Sequence, residues 1–245
     1  MGFIDLHSHV LPGLDDGARS LDESVTMLGL LGQLGFEVVH ATPHQKVGSW
    51  TPAREAIDGA CAKVVAALPP GAPALRLGAE NMWDELFLGR SLDRCIPGYR
   101  APADAPAQPP RAFLFELPVM VVPPRVEERL FAIRRGGPLP VMAHPERYTP
   151  LWDHLDRFEA LGQQCALVVD LAALGGTDGA RQCRVARTLV EEGLAHAAAT
   201  DVHQPSDVPL AGAGIAWLRK RLGSSAATRL LDHGPRQILN GELPA

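Results

Sequence analysis

At 245 residues the chain falls within the range of one α/β barrel, and 46% apolar residues are enough to bury a sizeable core in one domain. A net charge of -5 with scattered Lys and Arg lacks the basic footprint of a nucleic-acid binder, and no run approaches the roughly 20 apolar residues of a membrane span. The first residues carry no basic segment leading into an apolar one, and Cys61, Cys95, Cys165 and Cys183 are far apart with no C-x-x-C. A cytoplasmic protein with reduced thiols is expected.

In chain order, short runs rich in Val, Ile and Leu alternate with stretches of helical periodicity, the mark of βα units around a parallel sheet. Strands are expected at Phe3–Leu6, Glu37–Thr42, Ala74–Gly78, Ala112–Leu117, Leu139–Ala143, Ala166–Leu171 and Ala195–Thr200. Helices are expected at Asp22–Leu34 before Gly35, at Pro52–Leu68 before "PPG" and at Val126–Arg135 before "GG". Further helices are expected at Pro150–Leu161, Gly179–Glu192, Ala211–Leu222 and Ser225–Asp232. Prolines between Arg94 and Ala112 predict a surface loop there.

The polar residues at the ends of these strands form a pattern. His7 and His9 follow the first strand, His44 the second and Glu80 the third. Glu116 ends the fourth, His144 follows the fifth, and Asp201 and His203 follow the seventh. In a barrel of parallel strands the C-terminal ends converge on one face, and Asp16 or its neighbour Asp15 reaches that face from the first loop. Five imidazoles and four carboxylates then aim at one place, where four carboxylates stay ionised together only beside cations. Mixed imidazole and carboxylate ligands suit Zn, Fe or Mn, and nine exceed the needs of one or two ions, so a cluster of three is expected.

Each piece also has a plain structural reading. H-x-H occurs on ordinary strands, "DDG" is a turn signal, Glu80 could cap a helix beginning near Trp83, and Glu116 could be an edge-strand carboxylate. The repetition of ligand types at strand ends favours the metal reading. His40 and His196, inside strands, and His154 and His233, on helices, are assigned structural or solvated roles, and the tryptophans, Met120 and Met142 are assigned to the core. A thiolate phosphatase of the C-x5-R type is excluded, because Ala67, Ala101, Leu171 and Leu189 stand six residues after the four cysteines.

The segments "FIDLHSHVLPGLDDG" (3 to 17), "ATPH" (41 to 44), "GAEN" (78 to 81), "FLFEL" (113 to 117), "AHPERY" (143 to 148), "TDVH" (200 to 203) and "GPRQIL" (234 to 239) together resemble the PHP (polymerase and histidinol phosphatase) superfamily. Within it the chain is most similar to bacterial protein-tyrosine phosphatases encoded with capsule and exopolysaccharide genes. The resemblance implies a distorted (β/α)7 barrel and a trinuclear centre, typically of Mn, with Fe, Zn, Co or Mg as other occupants. It implies that His7, His9, Glu80 and Asp201 hold one ion, Glu80, Glu116 and His144 a second, and Asp16, His44 and His203 a third. It also matches Arg147 to an arginine that contacts phosphate.

Such a site would hydrolyse phosphotyrosine with a metal-activated hydroxide, and three divalent ions among four carboxylates leave about +2 for a phosphate dianion. Asp201 and His203 join Arg147 as candidate catalytic residues. The expected partner is a phosphotyrosine-bearing protein, the tail of a bacterial tyrosine kinase of polysaccharide export, with no nucleic acid and no membrane insertion. Assembly into a homo-oligomer is left open. The chain lacks the arginine that the family carries shortly after its last histidine, since "HQPSDVPL" (203 to 210) has none. Phosphate binding is therefore expected to rest on Arg147, or to draw on Arg19, Arg100 or Arg111. The alternatives are another PHP phosphoesterase, acting on histidinol phosphate, a nucleotide or a DNA end, and a non-enzymatic metal-stabilised regulator.

Overall fold

The computed structural model describes residues 2–101, 108–177 and 179–244. Its elements run β1 Phe3–Ser8, α1 Leu21–Gln33, β2 Phe36–Ala41, β3 His44–Gln45, α2 Arg54–Ala67, β4 Ala74–Leu77, β5 Glu80–Met82 and α3 Glu85–Leu92. They continue with β6 Ala112–Glu116, α4 Val126–Gly136, β7 Leu139–Ala143, α5 Leu155–Gly162, β8 Ala166–Asp170 and α6 Leu171–Gly175. The last are α7 Ala180–Glu191, β9 Ala197–Ala199, α8 Val208–Thr228 and α9 Gly234–Leu239.

All described strands pair in parallel, in sheets ordered β1-β2-β4 and β3-β5-β6-β7-β8-β9. The second and third expected strands are β2 and β4, and each resumes beyond its expected end, after interruptions at Thr42-Pro43 and Gly78-Ala79, as the unexpected short strands β3 and β5. Pro43 cannot donate to a ladder. The two sheets still join, because Gly78 N donates to Ala41 O at 2.8 Å and Glu80 N to Pro43 O at 3.2 Å. The first and last strands meet beyond their ends, where Ser8 bridges Val202, His9 N donates to Val202 O and Asp201 N donates to His7 O, both at 2.9 Å. Seven strand positions thus follow one another around the fold, as the distorted (β/α)7 expectation requires.

Side-chain alternation explains why the sheet is buried on both faces. Ile4, Leu6, Leu114, Val141, Ala143, Val168, Ala197 and Ala199 form one apolar cluster, and the small alanines let opposite strands approach. Val39, Phe113, Phe115, Met142, Leu167 and Val169 point the other way, onto a second cluster shared with helix residues such as Met27, Leu28, Leu130 and Leu189. Local signals start the helices: Ser20 accepts from Glu23 N at the head of α1, and Asp84, not Glu80, caps α3 by accepting from Phe87 N.

Several expectations are corrected. The helix expected from Pro150 begins at Leu155, and a 3-10 turn at Thr149–Leu151 precedes it, because the chain must first pack Leu151 and Tyr148 inward. The short helices α6 and α9 were not expected, and the last expected helix, separated from its predecessor by a kink at Gly223 with φ 86°, passes into a π-helical turn at Arg229–His233. Residues 102–107 of the Pro-rich loop lie outside the described residues. Of the remainder, Arg94, Cys95, Ala101, Gln108, Pro109 and Arg111 are exposed, while Ile96 and Tyr99 dip into the core, Tyr99 donating its hydroxyl to Leu6 O at 3.0 Å. No helix among the described residues is long and apolar enough to cross a membrane.

Candidate metal centre

Every strand-end residue singled out above arrives at the same end of the sheet. His7 Nε2 lies 3.1 Å from Asp201 Oδ1 and 3.2 Å from Glu80 Oε2, and His9 Nε2 lies 3.3 Å from both oxygens. His44 Nδ1 is 3.0 Å from Glu80 Oε2 and 3.4 Å from Glu116 Oε1, while His144 Nε2 is 3.0 Å from Glu80 Oε1. Asp16 Oδ1 stands 3.4 Å from His44 Nε2 and 3.5 Å from His203 Nε2. The ligand atoms fall into four sets, each within 4.8 Å: His9, Asp16, His44 and His203; His7, His144 and Asp201; His7, His9 and Glu80; His44, Glu80 and Glu116. All nine candidates are present, although His7, His9, His44 and Glu80 each belong to two sets, and His144 lies with His7 and Asp201 instead of with Glu116.

Proximity alone would describe an ion-pair network, so the fit to a cation rests on unsatisfied atoms. Glu80 Oε2, Glu116 Oε1, both oxygens of Asp201, His44 Nδ1 and His144 Nδ1 are buried without an aligned hydrogen bond. Buried polar atoms are rarely left this way, since each costs about 1–3 kcal/mol. Here lone pairs point at shared space, and His7 Nε2 faces His9 Nε2 at 3.1 Å. The donor set of imidazoles and carboxylates fits divalent transition metals.

Electrostatics give the same reading. Burial disfavours charge on His7, His9 and His44, yet Asp201 and Glu80 around His7, Asp15 around His9 and Glu116 around His44 outweigh it and raise all three pKa values. Burial likewise opposes the charge on Glu80 and Asp201, but His7 and its neighbours hold both well below the usual carboxylate range. The carboxylates thus stay ionised and draw positive charge, which protons supply when metals do not.

Supporting residues fix the ligands. Asp15 and Asp16, left as alternatives by sequence, do different jobs: Asp15 Oδ2 sits 2.8 Å from His9 Nδ1 and accepts from His44 N at 3.0 Å, leaving Asp16 to face the cluster. Such a carboxylate behind an imidazole fixes its tautomer and orientation. Gly17 is required beside it, because a Cβ there would stand 2.1 Å from His9 O. Asp5 is a second support: it accepts from His7 N, Thr200 N and Thr200 Oγ1, and burial pushes its pKa up to about 6. His144 and Asp201 occupy the left-handed region, with φ 32° and 47°, as strained residues at functional sites often do.

The arginines separate sharply. Arg147 joins the cluster, with Nη2 2.6 Å from Asp201 Oδ2 and 2.9 Å from Asp170 Oδ2. Arg19 does not: it is exposed and its Nη2 lies 2.7 Å from Glu23 Oε1 on the next helix. Arg100 pairs with Asp58 on α2, and Arg111 precedes β6 at the opposite end of the sheet, its carbonyl accepting from Leu139 N.

Sequence reasoning missed Asp170 and Trp50. Asp170 ends β8, the one strand left without a polar terminus, and the strand-end rule would have found it had the strand been stopped one residue earlier. Trp50 is not in the core as expected but stacks on His44, centroids 5.3 Å apart and planes 18° apart, held by a tight turn in which Lys46 N donates to Trp50 O. Met120 is also no core residue, being 71% exposed on the loop after Glu116, whereas Met142 is buried as expected. His40 and His196 are structural: His40 Nδ1 donates to Asp5 O, and His196 Nδ1 accepts from Leu167 N.

Known proteins are similar to this chain in sequence and fold. The chain is similar over 210 residues to a putative tyrosine-protein phosphatase CapC of Staphylococcus aureus, at 24% identity over 84% of this chain and 79% of that one. Tyrosine-protein phosphatase CpsB of Streptococcus pneumoniae is 25% identical over 98% of this chain and 99% of its own length. The solved structures of YwqE from Bacillus subtilis and CpsB from Streptococcus pneumoniae, described as unique metal-dependent tyrosine phosphatases, include a match with a TM-score of 0.82 at 23% identity, covering 99% of this chain and 96% of that chain. A phosphotriesterase homology protein from Escherichia coli with phosphate in its active site shares the fold at a TM-score of 0.56 and 10% identity, over 97% of this chain and 98% of that one. The family described as capsular polysaccharide synthesis, CpsB/CapC, matches residues 3–240, and the chain belongs to it.

Proposed function

We propose that the protein is a metal-dependent protein-tyrosine phosphatase, and that its substrate is the phosphorylated tail of a bacterial tyrosine kinase in capsule or exopolysaccharide synthesis. The observation that carries this reading is the convergence of nine ligand side chains, with buried oxygens and nitrogens left unpaired, beside the Arg147 guanidinium. The names of the CapC and CpsB relatives support the choice of phosphotyrosine. Three divalent ions, Mn in the cell, would be held among these nine side chains, which the fold groups as His9, Asp16, His44 and His203; His7, His144 and Asp201; His7, His9 and Glu80; and His44, Glu80 and Glu116. When bound, they supply charge for the phosphoryl oxygens and lower the pKa of water for attack on phosphorus.

The chain's own residues do the rest. Arg147 stays charged because Asp201 and Asp170 outweigh the effect of burial, and it offers donors to equatorial phosphoryl oxygens as charge builds on them. Asp201 links that guanidinium to His7 and His9, so a shift in either is felt by the other. Asp15 and Asp5 keep His9 and the His7 backbone aligned. His203, stacked on His9 at 4.1 Å, closes the cluster on the exposed side. A phenol leaves readily, its pKa being about 10, so no strong general acid is needed. Cys61, Cys95 and Cys165 are free thiols, which fits the cytoplasm as the place of reaction.

The test is purified protein with Mn, assayed on a phosphotyrosine peptide, histidinol phosphate and single-stranded DNA, with and without chelator. Chelator-sensitive cleavage of the peptide is expected. Cleavage of histidinol phosphate with the peptide intact refutes the reading, and activity on none of the three leaves a metal-stabilised regulator.

A further inference from the structure

Arg147 is the one arginine at the cluster, yet a guanidinium on four rotatable bonds is of little use unless something aims it. It follows His144 in a 3-10 turn, with Arg147 N donating to His144 O at 2.9 Å, and its side chain remains 31% exposed. Two carboxylates grip the same atom: Nη2 lies 2.6 Å from Asp201 Oδ2 and 2.9 Å from Asp170 Oδ2. Among the described residues no protein group accepts from Nε or Nη1. Nη2 is fixed, and the Nε–H and Nη1–H donors on either side of it are left for a ligand.

Asp170 is itself held in place by its neighbours. It is 4% exposed, its Oδ1 accepts from Ala172 N at 2.8 Å at the head of α6, and its own N–H donates to Glu146 Oε1 at 2.9 Å. Glu146 is wholly buried, and its carbonyl accepts from Trp152 Nε1 at 2.7 Å. Among the described residues Asp170 belongs to none of the four ligand sets, whereas Asp201 does.

We propose that Asp170 is a positioning residue, which shares Nη2 of Arg147 with Asp201 and so fixes the guanidinium with its Nε–H and Nη1–H donors, one on each side of Nη2, left for the oxygens of a phosphate. The kinetic part of this rests on the phosphatase reading; the phosphate-binding part does not. The test compares Mn-loaded wild type, D170N, R147A and the D170N/R147A double variant. Asn caps helices as well as Asp, so D170N removes the charge with α6 intact. Should D170N fail to fold, D170S, which retains a capping oxygen, takes its place.

Three quantities are read: kcat and KM on the phosphotyrosine peptide, binding of inorganic phosphate by calorimetry, and Mn content by elemental analysis. D170N is expected to keep its Mn, to lose about tenfold in kcat/KM and to bind inorganic phosphate several-fold more weakly. In the R147A background it is expected to add less than about twofold, because the residue it positions is gone. Wild-type behaviour in D170N, an equal factor with and without Arg147, or loss of Mn each overturns the proposal. If the wild type leaves the peptide intact, the phosphatase reading falls while the phosphate-binding comparison still decides the role of Asp170.

Discussion

Tyr148→Phe isolates one device that aligns the two ligand-bearing strands β6 and β7. The side chain is fully buried; its hydroxyl accepts from Leu117 N at 3.0 Å and donates to Ala143 O at 2.9 Å. Leu117 follows Glu116 and Ala143 precedes His144, so one oxygen ties together the backbone beside two candidate ligands. Burial raises the phenol pKa well above its ordinary value, which keeps the hydroxyl proton available to donate. Removing the oxygen strands a buried N–H, at about 1–3 kcal/mol, and a buried carbonyl, at somewhat less, for a total of about 2–4 kcal/mol. Tyr99→Phe loses a single bond, to Leu6 O at 3.0 Å, and should cost about 1–2 kcal/mol. Urea unfolding of the chelated proteins, compared at equal slope, gives both numbers. A loss below about 0.5 kcal/mol in Tyr148→Phe, or one smaller than in Tyr99→Phe, would refute the view that this hydroxyl holds the strand ends.

Two further expectations follow from the same geometry. His40 is buried, which lowers its pKa to about 4, so the native state takes up no proton there while the unfolded chain does so below about 6.5. Stability from this source is whole above the unfolded pKa and is lost as pH falls toward the folded one, at about 1.4 kcal/mol per pH unit; His40→Asn, which keeps a donor for Asp5 O, should flatten the slope of unfolding free energy between pH 6.5 and 4 by about that much. Equal slopes in wild type and variant would show that the imidazole is not buried neutral. Metal should stabilise the fold: at a concentration 100 times Kd a single site adds about 2.7 kcal/mol, or about 5–10 °C in Tm for a chain of this size. Glu80→Gln, which weakens contacts to His7, His9, His44 and His144 together, should abolish most of that shift. An unchanged wild-type melt on adding Mn sinks the metal centre.

The parts of this molecule that were legible in the sequence are those set by short-range rules. Strand positions followed from β-branched runs and their terminators, and strand-end polar residues converge because parallel strands share a direction. Asp15 and Asp16 could not be told apart, since both suit the turn and only the fold brings His9 and His44 to one of them. Asp170 was hidden inside the expected strand Ala166–Leu171, which in fact gives way at Leu171 to a helix that Asp170 caps, and its ion pair to Arg147 spans 23 residues. Trp50 was hidden because a tight turn from Lys46, with Gly48 at φ 78°, folds an apolar ring back over His44 instead of into the core. The breaks at Thr42-Pro43 and Gly78-Ala79 were also invisible, because barrel curvature is a property of the whole sheet.

The strain at His144 and Asp201 explains why these two strand ends differ from the others. A strand continued in extended conformation would alternate its side chains and carry the next residue away from the cluster. A left-handed residue turns the chain at once, and Pro145 after His144 already bars the right-handed helical alternative there. Each such residue costs of order 1–3 kcal/mol, and glycine would remove the cost along with the ligand. The surroundings supply the compensation: Arg147 N bonds to His144 O and Tyr148 Oη to Ala143 O on one side, while Asp201 N bonds to His7 O and His203 Nδ1 to Asp201 O on the other. The same contacts that hold the strained backbone also place Arg147 and His203. Strain, ligand direction and the guanidinium are therefore one arrangement, and a substitution that relaxes the backbone at either residue must also move the groups that would meet the phosphate.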